Sequence, residues 1–227
     1  MKNFDTAVAQ DYDQDIRRKI PGYDLIQDLL ASVLHTEFAS APHLLVAGSG
    51  TGEEMLRLGT QHPDWRMDGI EPSAAMIATA VSRTQKTKFK SNLRFFESTI
   101  QDYHTDEMYD GALSVLVSHF LPDDGQKEKY FAALAGMLKL GAPLIVIDMM
   151  KQADPVGDKH IASTYFWAKY NGMPEDALRN FPLRLRSMFF PITEDRLREI
   201  CAPYGLIVEG KFVQSLSTQG FILRKIT

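Results

Sequence analysis

The chain has 227 residues, 44% of them hydrophobic and 24% charged, with a formal net charge of −4. That length fits one large α/β domain or two small ones, and the composition excludes disorder as the dominant state. A single cysteine, Cys201, excludes an intrachain disulfide, and the acidic balance offers no global field for nucleic acid.

In chain order, helical and strand patterns alternate, which predicts a parallel sheet flanked by helices. Residues 1–42 read as helices, with Leu25, Ile26, Leu29, Leu30, Val33 and Leu34 spaced three and four apart. His43–Ala47 is a buried strand, and Gly48–Gly52 turns it into a helix starting near Thr51. Trp65–Ile70 is a second strand, and Ser73 is placed to cap the helix that carries Met76, Ile77, Ala80 and Val81. Leu93–Phe96 and Tyr109–Val117 are the third and fourth strands. Asp124–Lys139 is a helix stopped at Gly141.

Ala142–Met149 is a fifth strand. The segment 151–191 then fits no strand, and residues 165–190 hold seven aromatics in 26 positions, against 10% for the whole chain. Such an insertion is expected to cap a site or form a dimer surface. Thr193 can cap a helix with Leu197, Ile200 and Cys201. The tail, Leu206–Gln214 and Thr218–Lys225, reads as an antiparallel hairpin closing the sheet edge. The expectation is one domain over 1–227, with N-terminal helices over 1–42 and a helical cap over 151–191. Apolar runs such as Leu144–Ile147 fall short of a membrane span, and the opening MKNFDTAVAQDYDQD has no apolar signal core. A soluble cytoplasmic protein is expected.

The central signal is Leu44–Gly52, LLVAGSGTG: a strand, a tight glycine turn, then a helix. Glu71 ends the next strand, 23 residues after Gly48, where a carboxylate can accept two hydrogen bonds from a ribose diol. The spacing G-x-G-x-G departs from the dinucleotide pattern, and Glu53 at the helix start would repel a pyrophosphate. Both point to a nucleoside without phosphate, of which S-adenosylmethionine is the common one. The plain alternative is a strand–helix turn with a surface glutamate.

On these residues the chain resembles the class I S-adenosylmethionine-dependent methyltransferases, and more narrowly their carboxy-S-adenosylmethionine synthase branch. Ile16–Tyr23 (IRRKIPGY), Glu71–Ile77 (EPSAAMI), Glu97–Asp102 (ESTIQD) and Arg186-Ser187-Met188 carry the likeness. The resemblance implies a Rossmann-like three-layer sandwich whose seven-stranded sheet is mostly parallel with the last strand antiparallel. It implies Gly48, Ser49, Gly50, Glu71, Pro72, Thr99, Ile100 and Val115 around S-adenosylmethionine, S-adenosylhomocysteine or carboxy-S-adenosylmethionine. It puts a ligand-touching tyrosine at Tyr23. It puts an arginine at Arg186 that holds an extra carboxylate from a neighbouring subunit, hence a homodimer. Three positions depart from the pattern: Val46 replaces an acid that helps place the methionine ammonium, Thr99 an aspartate for the adenine amino group, and Val115 an asparagine.

Methyl transfer from a sulfonium needs alignment and dryness, and a base only when the acceptor must lose a proton. His119, after the fourth strand, is the candidate base, or else a histidine packed where the chain leaves the sheet. Asp148 reads as a cap or support at the end of the fifth strand, and His160 as a surface residue. Arg186 is a carboxylate clamp or one solvated arginine of a Leu-Arg-Leu-Arg alternation. Tyr12 and Tyr23 are lid residues or packing. No Cys or His pair has metal-ligand spacing, so no metal is expected. Three functions stay open: a methyltransferase for a small-molecule acceptor, which leads; a carboxy-S-adenosylmethionine synthase-like enzyme; and a non-catalytic nucleoside-binding or dimerising protein.

Overall fold

The computed structural model describes residues 6–227, with side chains for 12–227. The part of the N-terminal helical expectation that falls on residues 1–5 lies outside the described residues. Two helices come first, α1 (Thr6–Lys19) and α2 (Tyr23–Glu37), joined through Gly22 at φ 72°. No described helix is long and apolar enough to cross a membrane.

Seven strands among the described residues form one sheet: β1 (His43–Ala47), β2 (Arg66–Glu71), β3 (Leu93–Glu97), β4 (Gly111–Val115), β5 (Pro143–Met149), β6 (Leu206–Ser215) and β7 (Thr218–Lys225). Their order is β3-β2-β1-β4-β5-β7-β6, and only β7 runs against its neighbours. The fold is the Rossmann-like three-layer sandwich. The connection reverses direction between β1 and β4, which opens a crevice beyond the carboxyl ends of β1 and β4.

Every residue of β1 is buried, because helices cover both faces of the sheet. Alternation divides its side chains between two cores. Leu45 and Ala47 join Tyr130, Phe131 and Leu134 of α5 (Gln126–Gly136) and Leu197 and Ile200 of α9 (Glu194–Cys201). Leu44 and Val46 join Ile26, Leu30 and Leu34 of α2 and Met55 and Leu58 of α3 (Glu53–Gln61). Ser73 caps α4 (Ala74–Thr84) by accepting from Met76 N at 3.3 Å, and Thr193 caps α9 by accepting from Arg196 N at 3.2 Å.

Several boundaries move from their expected places. The fourth strand ends at Val115, because Leu116 adopts φ 58° and turns the chain out of the sheet. It also starts late: Tyr109 bridges Leu138 instead, which holds Met137–Lys139 out of α5. And α3 begins at Glu53, since Gly52 at φ 79° still belongs to the turn.

The segment 151–191 carries α6 (Val156–Tyr170), α7 (Glu175–Arg179) and α8 (Phe181–Ser187) around a small core of Ala168, Met173, Leu178 and Phe181. Trp167 Nε1 donates to Arg17 O at 3.3 Å, so this unit rests on α1. Phe166 and Tyr170 stack on its exposed side.

Candidate functional site

The turn after β1 is held open by three left-handed glycines, Gly48, Gly50 and Gly52, at φ 64°, 52° and 79°. Gly48 N and Ser49 N both donate to Ile70 O, at 2.8 and 3.2 Å, which ties the turn to the end of β2. A Cβ on Gly48 would sit 2.5 Å from Val117 Cγ2, so close approach as well as φ requires glycine there.

Glu71, at the end of β2, is buried. Its Oε2 accepts from Gly50 N at 3.1 Å and its Oε1 from Ser73 N at 2.9 Å. Burial pushes its carboxyl above the ordinary carboxylate range, and the two amides oppose that shift. A carboxylate offers about four acceptor positions, so two remain for a diol.

A cavity of about 780 Å³ opens beside this carboxylate. That volume suits a nucleoside with an amino-acid tail. Its wall brings together seven of the expected residues: Gly48, Gly50, Glu71, Pro72, Thr99, Ile100 and Val115. They come from the ends of β1, β2, β3 and β4, so the sheet topology alone assembles them. The residues fit S-adenosylmethionine at the ribose, through Glu71, and at an apolar base face, through Ile100. At the ammonium the fit is poorer, because Val46 points into the core between α2 and the sheet.

The remaining expected residues lie elsewhere. Ser49 Oγ is buried without a partner and lies against Gly69, where a Cβ would be 2.7 Å away, so it faces the sheet. Tyr23 is buried under the Arg17 guanidinium and accepts from Gln27 Nε2 at 3.1 Å. Arg186 lies exposed on α8 and donates to Asp158 Oδ1 at 2.7 Å. Within one chain neither Tyr23 nor Arg186 reaches the cavity wall.

His119 sits behind the wall, in the short turn Ser118–Phe120. Asp148 Oδ1 bonds its Nδ1, and Asp148 Oδ2 accepts from His119 N at 3.1 Å and Ser118 Oγ at 2.5 Å. Asp148 is therefore more than a cap for the strand end. Burial works against its charge, but His119, Ser118 and the buried Lys127 hold its carboxyl below the ordinary range. Lys127 Nζ donates to Ser118 O. Phe120 and Phe189 pack on the His119 ring.

Three wall residues stand out beyond the expected set. Tyr12 of α1 lines the cavity, and its phenol pKa is pushed up by burial and by the charges of Glu54 and Glu71. Asp102 and Tyr130 also line it. Asp102 had a sequence signal, the Thr-x-x-Asp spacing from Thr99. Tyr130 reads from sequence only as helix core. The insertion, expected to cap a site or form a dimer surface, supplies none of the described wall of this cavity.

Glu53 needs a correction as well. It was expected to repel phosphate as a lone charge, but Arg17, Arg57 and Arg83 all pair with it, at 2.9, 2.8 and 2.7 Å. Those cations hold its carboxyl below the ordinary range despite burial. The loop spacing thus carries the argument against a dinucleotide without help from Glu53. Among the described residues, His43, Asp68 and Glu107 are close enough to hold a metal ion, but Arg94 already pairs with both carboxylates.

Residues 44–141 match the family model of the methyltransferase domain. In sequence the chain is similar to a carboxy-S-adenosyl-L-methionine synthase of Campylobacter fetus, 22% identical over 89% of this chain and 85% of that protein. In structure it is similar to an O-methyltransferase family 2 protein of Planctomyces limnophilus (TM-score 0.62, 18% identity, 83% of this chain and 51% of that one). It is similar also to the N-methyltransferase NodS of Bradyrhizobium japonicum (TM-score 0.60, 16% identity, 91% and 88%). The chain thus spans about half the length of the first of these two structures. The match places a methyltransferase domain at residues 44–141, and the likeness to these structures shows the fold.

Proposed function

We propose that the chain acts as one unit to move a methyl group onto a small acceptor that must lose a proton. The observation that carries this is the buried Glu71 carboxylate, tied to the glycine turn and still able to accept two hydrogen bonds at the cavity. Gly48, Gly50, Glu71, Pro72, Thr99 and Ile100 would hold S-adenosylmethionine, which supplies a methyl already activated by a positive sulfonium. The chain's own work is then to align, to dry and to deprotonate. Leu116, Phe120 and Leu121 line the cavity with apolar surface that excludes water. Asp148 fixes the His119 imidazole at Nδ1 behind the wall, and for Nε2 to take the acceptor's proton the Phe120 or Phe189 ring that packs on it must move aside.

A second reading has its own support. One curated relative is by name a carboxy-S-adenosyl-L-methionine synthase, and Arg186 lies exposed on α8, where its guanidinium pairs with Asp158. In that reading the chain is a homodimer and Arg186 clamps the extra carboxylate across the interface. Under either reading the protein works in the cytoplasm on small molecules, away from membranes and nucleic acid, in keeping with its net charge of −4.

Native mass spectrometry of the purified protein, followed by titration with S-adenosylhomocysteine, tests both. Binding of S-adenosylhomocysteine without a co-purified adduct supports methyl transfer. A bound carboxylated sulfonium, released in Arg186→Ala, makes the synthase reading the correct one. No binding at millimolar ligand overturns both.

A further inference from the structure

A second cavity, of about 510 Å³, lies outside the site described above. One wall is the loop between β3 and β4, with Tyr103, His104 and Asp106. The other is the last turn of α5, with Ala133, Gly136 and Met137. Ile100 and Gln101 line both this groove and the first cavity, so the two stand back to back across one loop. The volume is large enough for a small molecule.

Three features of the walls agree in sign. Asp106 brings an exposed carboxylate, and among the described residues no hydrogen bond or ion pair engages it. The last turn of α5 is the carboxyl end of that helix, where aligned peptide dipoles leave partial negative charge. Tyr103 adds an aromatic ring that is fixed in place. Its hydroxyl lies 3.1 Å from Tyr109 Oη, and its ring packs on Phe96 with centroids 5.1 Å apart. A carboxylate, a helix carboxyl end and the face of a ring each attract a cation. His104 is the one wall side chain that can carry positive charge, and it is exposed and able to turn into water.

The rest of the lining suits an apolar body. Ile100, Ala133 and Met137 give the groove an apolar floor. Gly136 leaves the helix end open, because a Cβ built there meets nothing within 4 Å. A ligand can therefore come close to the backbone of the last turn.

We propose that this groove binds a small organic cation, an ammonium group on an apolar body, with Asp106 and the carboxyl end of α5 as its counter-charge. The inference does not depend on what fills the first cavity.

The test uses tryptamine, tryptophol and indole-3-acetate, which carry an ammonium, a hydroxyl and a carboxylate on one indole body. Each is titrated into the full chain labelled with ¹⁵N, with and without S-adenosylhomocysteine, and assigned backbone amides report where it binds. Tryptamine should move the amides of 100–106 and 133–137. It should bind at least about fivefold tighter than tryptophol, and indole-3-acetate should bind weakest. Asp106→Asn keeps the size of the side chain and removes its charge. It should bring tryptamine to within about twofold of tryptophol and leave tryptophol unchanged. Gly136→Leu fills the floor and should abolish binding of both. The leucine has room there and favours a helix more than glycine does, so the variant folds, and thermal melting verifies it. Equal affinity for tryptamine and tryptophol overturns the proposal, as does undiminished tryptamine binding in Asp106→Asn. Displacement of tryptamine by S-adenosylhomocysteine, with shifts at 48–52 and 71–75 instead, also overturns it by placing the amine in the first cavity. So does the absence of any shift at millimolar tryptamine.

Discussion

Asp148 holds His119 twice, through the imidazole Nδ1 and through the backbone N–H, so the ring cannot turn without breaking a buried charge-assisted bond. The same carboxylate also accepts from Ser118 Oγ at 2.5 Å and Met149 N at 2.8 Å. Four donors thus converge on one buried anion at the exit of β5, with the buried Lys127 as a further counter-charge.

Asp148→Asn puts an amide donor among these donors. It should destabilise the fold by about 3 kcal/mol at pH 7, the usual scale for breaking a buried charged network. In a chain of this size that is roughly 6–12 °C in Tm. The native carboxyl lies below the ordinary range, so its contribution is complete above the unfolded pKa and fades as pH falls through the native one. Melting curves from neutral to acid pH should show wild type and variant converging at the acid end. A constant gap would mean the charge is not what matters.

Glu54 gives the opposite sign. It is buried, accepts from Gln27 Nε2 at 2.6 Å, and burial pushes its carboxyl from 4.5 up to about 6. A group with a raised native pKa binds protons more tightly when folded, so stability falls as pH rises from 4.5 to about 6. The cost above that window is about 2 kcal/mol. Gln27 Oε1 is buried without a partner and can accept from a new amide. Glu54→Gln should therefore raise Tm at pH 7.5 by several degrees, about 2–4 °C per kcal/mol. It should also flatten the pH dependence between 4.5 and 6. Differential scanning calorimetry at two pH values checks this, and a variant less stable at pH 7.5 contradicts it.

Gly48→Ala should do two kinds of harm. The φ of 64° strains any side chain, and the new Cβ would lie 2.5 Å from Val117 Cγ2 on the cavity wall. We expect a loss of about 2–3 kcal/mol in stability and of more than about tenfold in affinity for S-adenosylhomocysteine. Gly125→Ala is the control: its φ is 100° but nothing lies within 4 Å, so it should lose stability without losing affinity.

Glu71→Gln keeps the shape of the ribose contact and removes its charge. Weakening by about 1–3 kcal/mol, or roughly 5- to 150-fold in Kd, is expected for S-adenosylhomocysteine. Because burial holds the wild-type carboxyl above the ordinary range, wild-type affinity should drop as pH falls into the upper part of that range. The Gln variant should lack that drop. Titration calorimetry at pH 5 and 7.5 separates the two, and equal affinities at pH 7.5 would remove Glu71 from the site.

Much of this was legible in the chain itself, because it depends on local rules. The LLVAG run, the glycines and the acid at the end of the next strand each follow from burial of both sheet faces and from backbone freedom at the turn. Ser73 and Thr193 read as caps because a hydroxyl before a helix can accept a free amide. The terminal hairpin reads from its alternation and short turn. These features need only nearest neighbours in sequence, so periodicity and residue type determined them.

What lies between distant residues was decided only by the tertiary structure. The pair of Glu53 with Arg57 is a local i,i+4 contact on α3, but nothing in the sequence told that Glu53 would also meet Arg17 of α1 and Arg83 of α4, because that depends on how those helices cross. Nor could it tell that Tyr12 and not Tyr23 would reach the cavity wall, since both lie on amphipathic helices whose rotation is fixed by packing. The pairing of His119 with Asp148 joins residues 29 apart through the parallel register of β4 and β5. Local propensity determined the elements and the glycine turn. The charge networks and the cavity wall came from long-range packing, whose partners leave no local mark.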